Sequence, residues 1–154
     1  MKGKAMLDGV EWLESAVEER LMAALDVLAL LPDRERAWLR VGAGAIWRRI
    51  VHDWEAYGWH DAVVRLTPTR ADLAAMDEAL GWVEWLAPPE RRLLAVVLDE
   101  RRRGRGSLRW ASVRRRLGLD RTTTTDALRA RHRHALGRIA GRLNAARVRR
   151  GLAG

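Results

Sequence analysis

The chain has 154 residues, enough for one ordinary domain or two very small ones. It contains no cysteine, which excludes disulfides, thiolate zinc sites, iron–sulfur clusters and cysteine nucleophiles. No apolar run approaches the ~18 residues of a membrane span and no signal peptide is recognisable, so a cytoplasmic protein without membrane contact is expected. The formal net charge is +9, and of the 29 basic residues only Lys2 and Lys4 are lysines.

The charge is unevenly placed. Residues 1–90 hold 10 basic and 16 acidic residues, whereas residues 91–154 hold 19 basic and 4 acidic ones. An arginine-rich composition alone would raise both halves, and the first is acidic. A strongly basic second half points to a polyanion, most often nucleic acid.

The periodicity predicts an all-α protein. Val10, Leu13, Val17, Leu21, Leu25 and Leu28 step by three or four, the stripe of an amphipathic helix. Asp8 and Glu11 have capping-box spacing, and Pro32 ends the helix. Glu14, Glu18, Glu19 and Arg20 fall on its expected solvent face. A second helix is expected from about Gly44 through Ile46, Trp47, Ile50, Val51 and Trp54 to Tyr57. A third is capped by Thr69, with Asp72 three residues on, and carries Leu73, Met76, Leu80, Val83 and Leu86. Pro88-Pro89 ends it and suits the first turn of a fourth helix, which has Leu93, Leu94, Val97 and Leu98 on its core face. A fifth, short helix is expected from the cap Ser107 through Trp110, Val113 and Leu117. A sixth, capped by Asp120, carries Leu128, Ala135, Leu136, Ile139 and Leu143. Residues 148–154 read as a fraying tail.

Enzyme chemistry finds no anchor. His132 and His134 are two apart and point to different helix faces, so they cannot chelate one ion. His52 and His60 have only Asp53 and Asp61 nearby, and read as exposed polar filler rather than a His/Asp site. Gly42-Ala43-Gly44 lacks the strand and lysine of a phosphate loop. No serine sits in a nucleophile motif. No catalytic residue, metal or cofactor is expected. Seven of the eight tryptophans, Trp12, Trp38, Trp47, Trp54, Trp59, Trp82 and Trp85, lie in the acidic half. Base stacking needs aromatics interleaved with arginine, so these read as core, with a protein-binding surface as the alternative.

Residues 107–144 have the order of a helix-turn-helix: a short helix, a stop at Gly118-Leu119, then a basic helix. Gly118 permits a left-handed backbone, and Leu119 is placed to fill the gap between the helices. The start of the second helix must carry polar or basic side chains for the major groove. Arg121, Thr122, Thr123, Thr125, Asp126 and Arg129 are the expected base-reading residues. Arg101 and Arg102 precede the motif, and Arg115 and Arg116 lie on its first helix. Arg103, Arg105, Ser107, Arg109, Arg114 and Arg133 are the expected phosphate contacts.

Leu117-Gly118-Leu119-Asp120-Arg121-Thr122, with the basic helix through Ala135-Leu136-Gly137-Arg138-Ile139, resembles region four of bacterial sigma factors. That resemblance implies binding of promoter DNA by a helix-turn-helix. Met76 to Leu86, Arg138-Ile139-Ala140 with Arg142-Leu143-Asn144, and Val17 to Pro32 are similar to an uncharacterised family of small helical proteins from prophage-like regions of alphaproteobacteria. Against region four, the chain is about one helical turn longer around Thr122 to Thr125. The recognition helix therefore starts either after Asp120 or near Thr125.

The expected architecture is an acidic, Trp-rich bundle (1–88), a basic helix-turn-helix region (89–147) and a flexible tail (148–154). The expected function is sequence-directed binding of double-stranded DNA, as a phage-type transcription regulator of the nucleoid. RNA polymerase or a second copy of the chain is the candidate partner of the acidic bundle. The alternatives are a small terminase-like packaging subunit, which would assemble as a ring, and a protein-interaction module whose arginines meet an acidic protein.

Overall fold

The fold comes from a computed structural model that describes residues 11–31, 68–104 and 107–153. The described residues are all-α, with no strand among them. The helix expected over residues 44–57, with Trp47 and Trp54, lies outside them, as do Asp8, Trp38, Trp59, His52, His60 and Arg105.

Helix α1 spans Glu14–Leu30 and buries Val17, Leu21, Leu25 and Leu28 as its spacing predicts. It starts later than expected, and Leu13 is exposed. The cause is Asn144. Its side-chain oxygen accepts from the Trp12 backbone N–H at 2.7 Å, and its side-chain nitrogen donates to the Trp12 carbonyl at 3.0 Å. Both main-chain groups of Trp12 are thus bonded outside any helix.

Helix α2 spans Arg70–Val83 and opens on a complete capping box. Thr69 Oγ1 accepts from the Asp72 N–H at 3.1 Å, and Asp72 Oδ2 accepts from the Thr69 N–H at 2.8 Å. The Thr69 N–H, and then the Thr69 hydroxyl, which also donates to Oδ2 at 2.8 Å, hold the Asp72 carboxyl below its ordinary pKa. The helix stops at Val83, before the prolines, and Arg91 of the next helix holds the segment that follows it. Arg91 Nε donates to the Leu86 carbonyl at 2.8 Å and Nη2 to the Glu84 carbonyl at 3.4 Å.

Helix α3 spans Pro88–Arg103, with both prolines in its first turn, where no N–H is needed. Helix α4 spans Trp110–Arg116 and helix α5 spans Thr125–Leu152. Ser107 does not cap α4. Its N–H and its hydroxyl both donate to the Gly104 carbonyl, at 3.1 and 3.0 Å, closing the turn that leaves α3. That turn requires glycine at 104, since a Cβ there would stand 2.3 Å from the Ser107 carbonyl oxygen. Helix α5 continues through residues 148–152, which the sequence reads as a tail.

Two cores hold these helices. The larger joins Val17, Leu21 and Leu25 of α1, Met76 and Trp82 of α2, Leu94 and Leu98 of α3, and Ala135, Ile139 and Leu143 of α5. Trp12 meets Trp82 edge to face, with ring centroids 5.2 Å apart. The smaller core joins Leu93 and Val97 of α3, Val113 of α4 and Leu128 of α5. Helices α3 and α5 contribute to both. Each fully buried Val or Leu contributes about 1.5–3 kcal/mol of transfer free energy, so α4, with Val113 alone fully buried, is the least anchored helix.

Candidate nucleic-acid interface

Helix α4 ends at Gly118, whose φ of 69° is the left-handed conformation the sequence demands of it. The Leu119 N–H donates to the Arg114 carbonyl at 3.2 Å and the Gly118 N–H to the Arg115 carbonyl at 3.0 Å, which satisfies the end of the helix. Leu119 itself is 36% exposed and does not fill the gap between helices. Val113 and Leu128 meet there, flanked by Leu117 and Trp110.

Asp120 does not cap α5. Its carboxylate accepts from the Thr122 N–H at 3.0 Å and from the Thr122 hydroxyl, forming a turn two residues long. The Thr122 hydroxyl, then its N–H, hold the Asp120 carboxyl below the ordinary range. Thr124 is the cap, its Oγ1 accepting from the Ala127 N–H at 3.1 Å. Aspartate prefers the local turn when a hydroxyl and an N–H lie two residues on, and the next threonine is then free to cap. Of the two starts the sequence allows, the helix takes the later. The connection from Leu117 to Thr124 is about twice as long as the usual three to four residues of a helix-turn-helix.

This start redistributes the expected base-reading residues. Arg121, Thr122 and Thr123 lie in the connecting turn, while Thr125, Asp126 and Arg129 lie in the first turns of α5. Arg129 is held on two sides. Its Nη1 is 3.4 Å from Asp126 Oδ1, and its guanidinium lies 5.9 Å from the centroid of the Trp110 ring. Ala130 beside it and Arg133 one turn on are exposed.

The arginines of the expected phosphate-binding set fall into two classes. Asp99 and Glu100 at the end of α3 are buried, and they gather cations from two helices. Arg103 Nε lies 3.0 Å from Asp99 Oδ2, Arg116 bonds Asp99, and Arg116 Nη1 lies 3.3 Å from Glu100 Oε2. Arg109 Nε approaches Glu100 at 3.7 Å. Arg101 pairs with Glu18 of α1 at 2.9 Å, and Arg102 pairs with Asp26. Arg101, Arg102, Arg103 and Arg116 are thus structural cations. Arg114, Arg115, Arg121, Arg131 and Arg133 have no carboxylate partner among the described residues.

Sequence reading missed two features. The first is the Asp99-Glu100 pair, whose signals were two adjacent acids in an otherwise basic half and the four-residue step from Asp99 to Arg103. The second is His132, which is buried. Its Nε2 stands 3.3 Å from Glu18 Oε1, and its ring meets Trp110 edge-on at 5.8 Å. Burial alone would raise the Glu18 pKa, but the His132 hydrogen bond and the positive charges of Arg101 and His132 outweigh it and hold the carboxyl below its ordinary value. Helices α1, α3, α4 and α5 meet at this cluster, and only the periodicity of α5, with His132 four residues after Leu128, hinted at it.

No helix among the described residues is long and apolar enough to cross a membrane. No curated protein and no solved structure matches the chain. A family model described as Domain of unknown function (DUF6362) matches residues 31–139, well over half of the chain and including α2, α3, α4 and the first half of α5, so the protein belongs to that family.

Proposed function

We propose that α3, α4 and α5 act as a helix-turn-helix that binds double-stranded DNA, with the first turns of α5 in the major groove. The observation that carries this is how the acidic residues of the basic half are engaged. Asp99 and Glu100 are buried under arginine, Asp120 is bonded by Thr122, and Asp126 sits against Arg129. The exposed surface of α4, the turn and the start of α5 is left with a surplus of arginine.

Thr125, Asp126 and Arg129 are the proposed base readers. Arg129 is pre-oriented by Trp110 and Asp126, which lowers the entropy lost on gripping a guanine edge. Arg121, Thr122 and Thr123 in the turn, with Arg114, Arg115 and Arg133, are the proposed phosphate contacts. Such a protein would serve as a phage-type transcription regulator of the cytoplasm and nucleoid, with its acidic N-terminal helices available to RNA polymerase.

A mobility shift on random duplex DNA over a salt series tests the reading. With about five phosphates neutralised, log K should fall against log salt with a slope of about −4 to −5. Binding indifferent to salt overturns it, and capture of acidic proteins without DNA would favour an interaction module. Once a preferred site is selected, Arg129→Ala should weaken binding there by about 1–3 kcal/mol more than on random DNA. An equal loss on both would make Arg129 a phosphate contact.

A further inference from the structure

Seven tryptophans lie in the acidic half, and the eighth, Trp110, stands among arginines at the start of α4. Two residues of α5 meet its ring. His132 meets it edge to face, with centroids 5.8 Å apart, and the Arg129 guanidinium lies 5.9 Å from its centroid. Arg129 and His132 are three apart, so they share one face of α5. A cation is drawn to an indole ring within about 6 Å, so the Arg129 contact sits at the end of its range, and moving the ring away by about 1 Å removes it. Helix α4 does little to prevent that movement. It is seven residues long, has no side-chain cap and buries Val113 alone. Trp110 is held instead by what it packs against, the smaller core and His132.

His132 is itself held from one polar side. A carboxylate only accepts, so Nε2 carries a proton and donates to Glu18 Oε1 at 3.3 Å. Nδ1 is buried and has no partner among the described residues. The ring therefore has one hydrogen bond to fix its orientation, and that bond comes from α1. Arg101 of α3 anchors Glu18 in turn, with Nε at 2.9 Å. A leucine would fill the same place without leaving a buried nitrogen unpaired, so packing alone does not account for a histidine there.

We propose that Glu18 and His132 are positioning residues which, through Trp110, hold the Arg129 guanidinium ready for base contact, so that sequence discrimination depends on helix α1. This rests on the reading of Arg129 as a base reader. Without the ring, Arg129 keeps only the contact with Asp126 at 3.4 Å, made between two exposed side chains, and must be ordered when it meets DNA. A phosphate contact tolerates that loss, because it needs a charge near the backbone rather than a fixed fork. The effect is therefore on choice of sequence and not on general affinity.

Affinities for a selected site and for random duplex, at one salt concentration, give a ratio from which any unfolded fraction cancels. Glu18→Ala should lower that ratio about threefold to tenfold, the cost of ordering one long side chain. His132→Ala, which removes the wall beside Trp110, should do the same. Glu18→Gln keeps an acceptor for Nε2 and should preserve the ratio. In an Arg129→Ala background, Glu18→Ala should change it no further. A ratio indifferent to Glu18→Ala, or an equal loss in both backgrounds, overturns the proposal and leaves Glu18 and His132 as scaffold. Nuclear magnetic resonance without DNA separates this from a failure of base reading. Arg129 side-chain resonances, displaced by the Trp110 ring in the parent, should move toward their free values in Glu18→Ala and stay in place in Glu18→Gln. A parent that prefers no sequence ends the base-reading assignment, while Arg129 resonances unmoved by Glu18→Ala end the positioning role whatever the DNA result.

Discussion

The arginines at the end of α3 and those at the start of α5 contribute alike to formal charge, yet the structure uses them differently. Arg101, Arg102 and Arg103 each meet a carboxylate, on Glu18, Asp26 and Asp99, and so join α3 to α1 or close the end of their own helix. Arg131 and Arg133 of α5 meet none among the described residues. A net charge counted along a sequence is therefore not the charge a ligand meets. Glu18, Asp26 and the buried Asp99 turn the most concentrated arginine run into scaffold, while Arg121, Arg131 and Arg133 beyond Gly118 are exposed.

The sharpest break between the two classes is Arg116→Ala. It strips one cation from Asp99 and Glu100, two carboxylates with almost no access to water. Breaking a buried pair from one side costs about 3–5 kcal/mol, and the lower end applies here because Arg103 still holds Asp99. Urea unfolding should show a loss of about 3 kcal/mol, while Arg133→Ala should stay within about 0.5 kcal/mol of the parent. In salt titrations of DNA binding the order reverses: Arg133→Ala should flatten the log–log slope by about 0.9, and a folded Arg116→Ala should leave it unchanged. Equal effects of the two variants in both measurements would abolish the distinction.

A smaller effect tests the boundary between scaffold and surface. Thr124→Ala removes the cap of α5 and should cost about 1 kcal/mol, whereas Asp120→Ala, which frees only an exposed turn, should cost less. If Asp120→Ala were the more damaging in thermal unfolding, the helix would begin earlier. Arg121, Thr122 and Thr123 would then return to its first turn.

These cases also show what the sequence could convey. Helical spacing was enough for the stripes of α1, α2, α3 and α5, because burial of Val17, Met76, Leu94 or Ile139 follows directly from period. Gly118 was legible because only one backbone conformation explains a glycine there. Caps were less legible. Ser107, Asp120 and Thr124 are all competent, and the choice is made by neighbours, namely Gly104 behind Ser107 and Thr122 beyond Asp120. The roles of individual arginines were hidden for a different reason. Pairing of Arg101 with Glu18, or Arg116 with Asp99, is a tertiary fact that no local window contains.

The smallest expected effect concerns Arg101, the structural cation whose partner lies on α1. Glu18 Oε1 faces Arg101 Nε at 2.9 Å and His132 Nε2 at 3.3 Å, and its carboxyl is held below its ordinary pKa. A carboxyl with a lowered folded pKa adds stability that is fully present above its unfolded pKa. That stability is lost as pH falls through the folded value. Stability of the parent should therefore drop on acidification below the ordinary glutamate range, partly through Glu18. Asp72 and Asp120 are lowered as well and contribute to the same limb, so the parent's acid profile alone does not isolate Glu18. The difference between the parent and Glu18→Gln does. Glutamine keeps the shape and an acceptor oxygen but has no charge to lose. The variant should be less stable at neutral pH, and the two curves should converge as the pH falls below the folded pKa of Glu18. Parallel curves across the acid limb would mean that the Glu18 charge adds nothing to the joint between α1, α3 and α5. Arg101 would then belong with the unpaired arginines of α5 rather than with the scaffold.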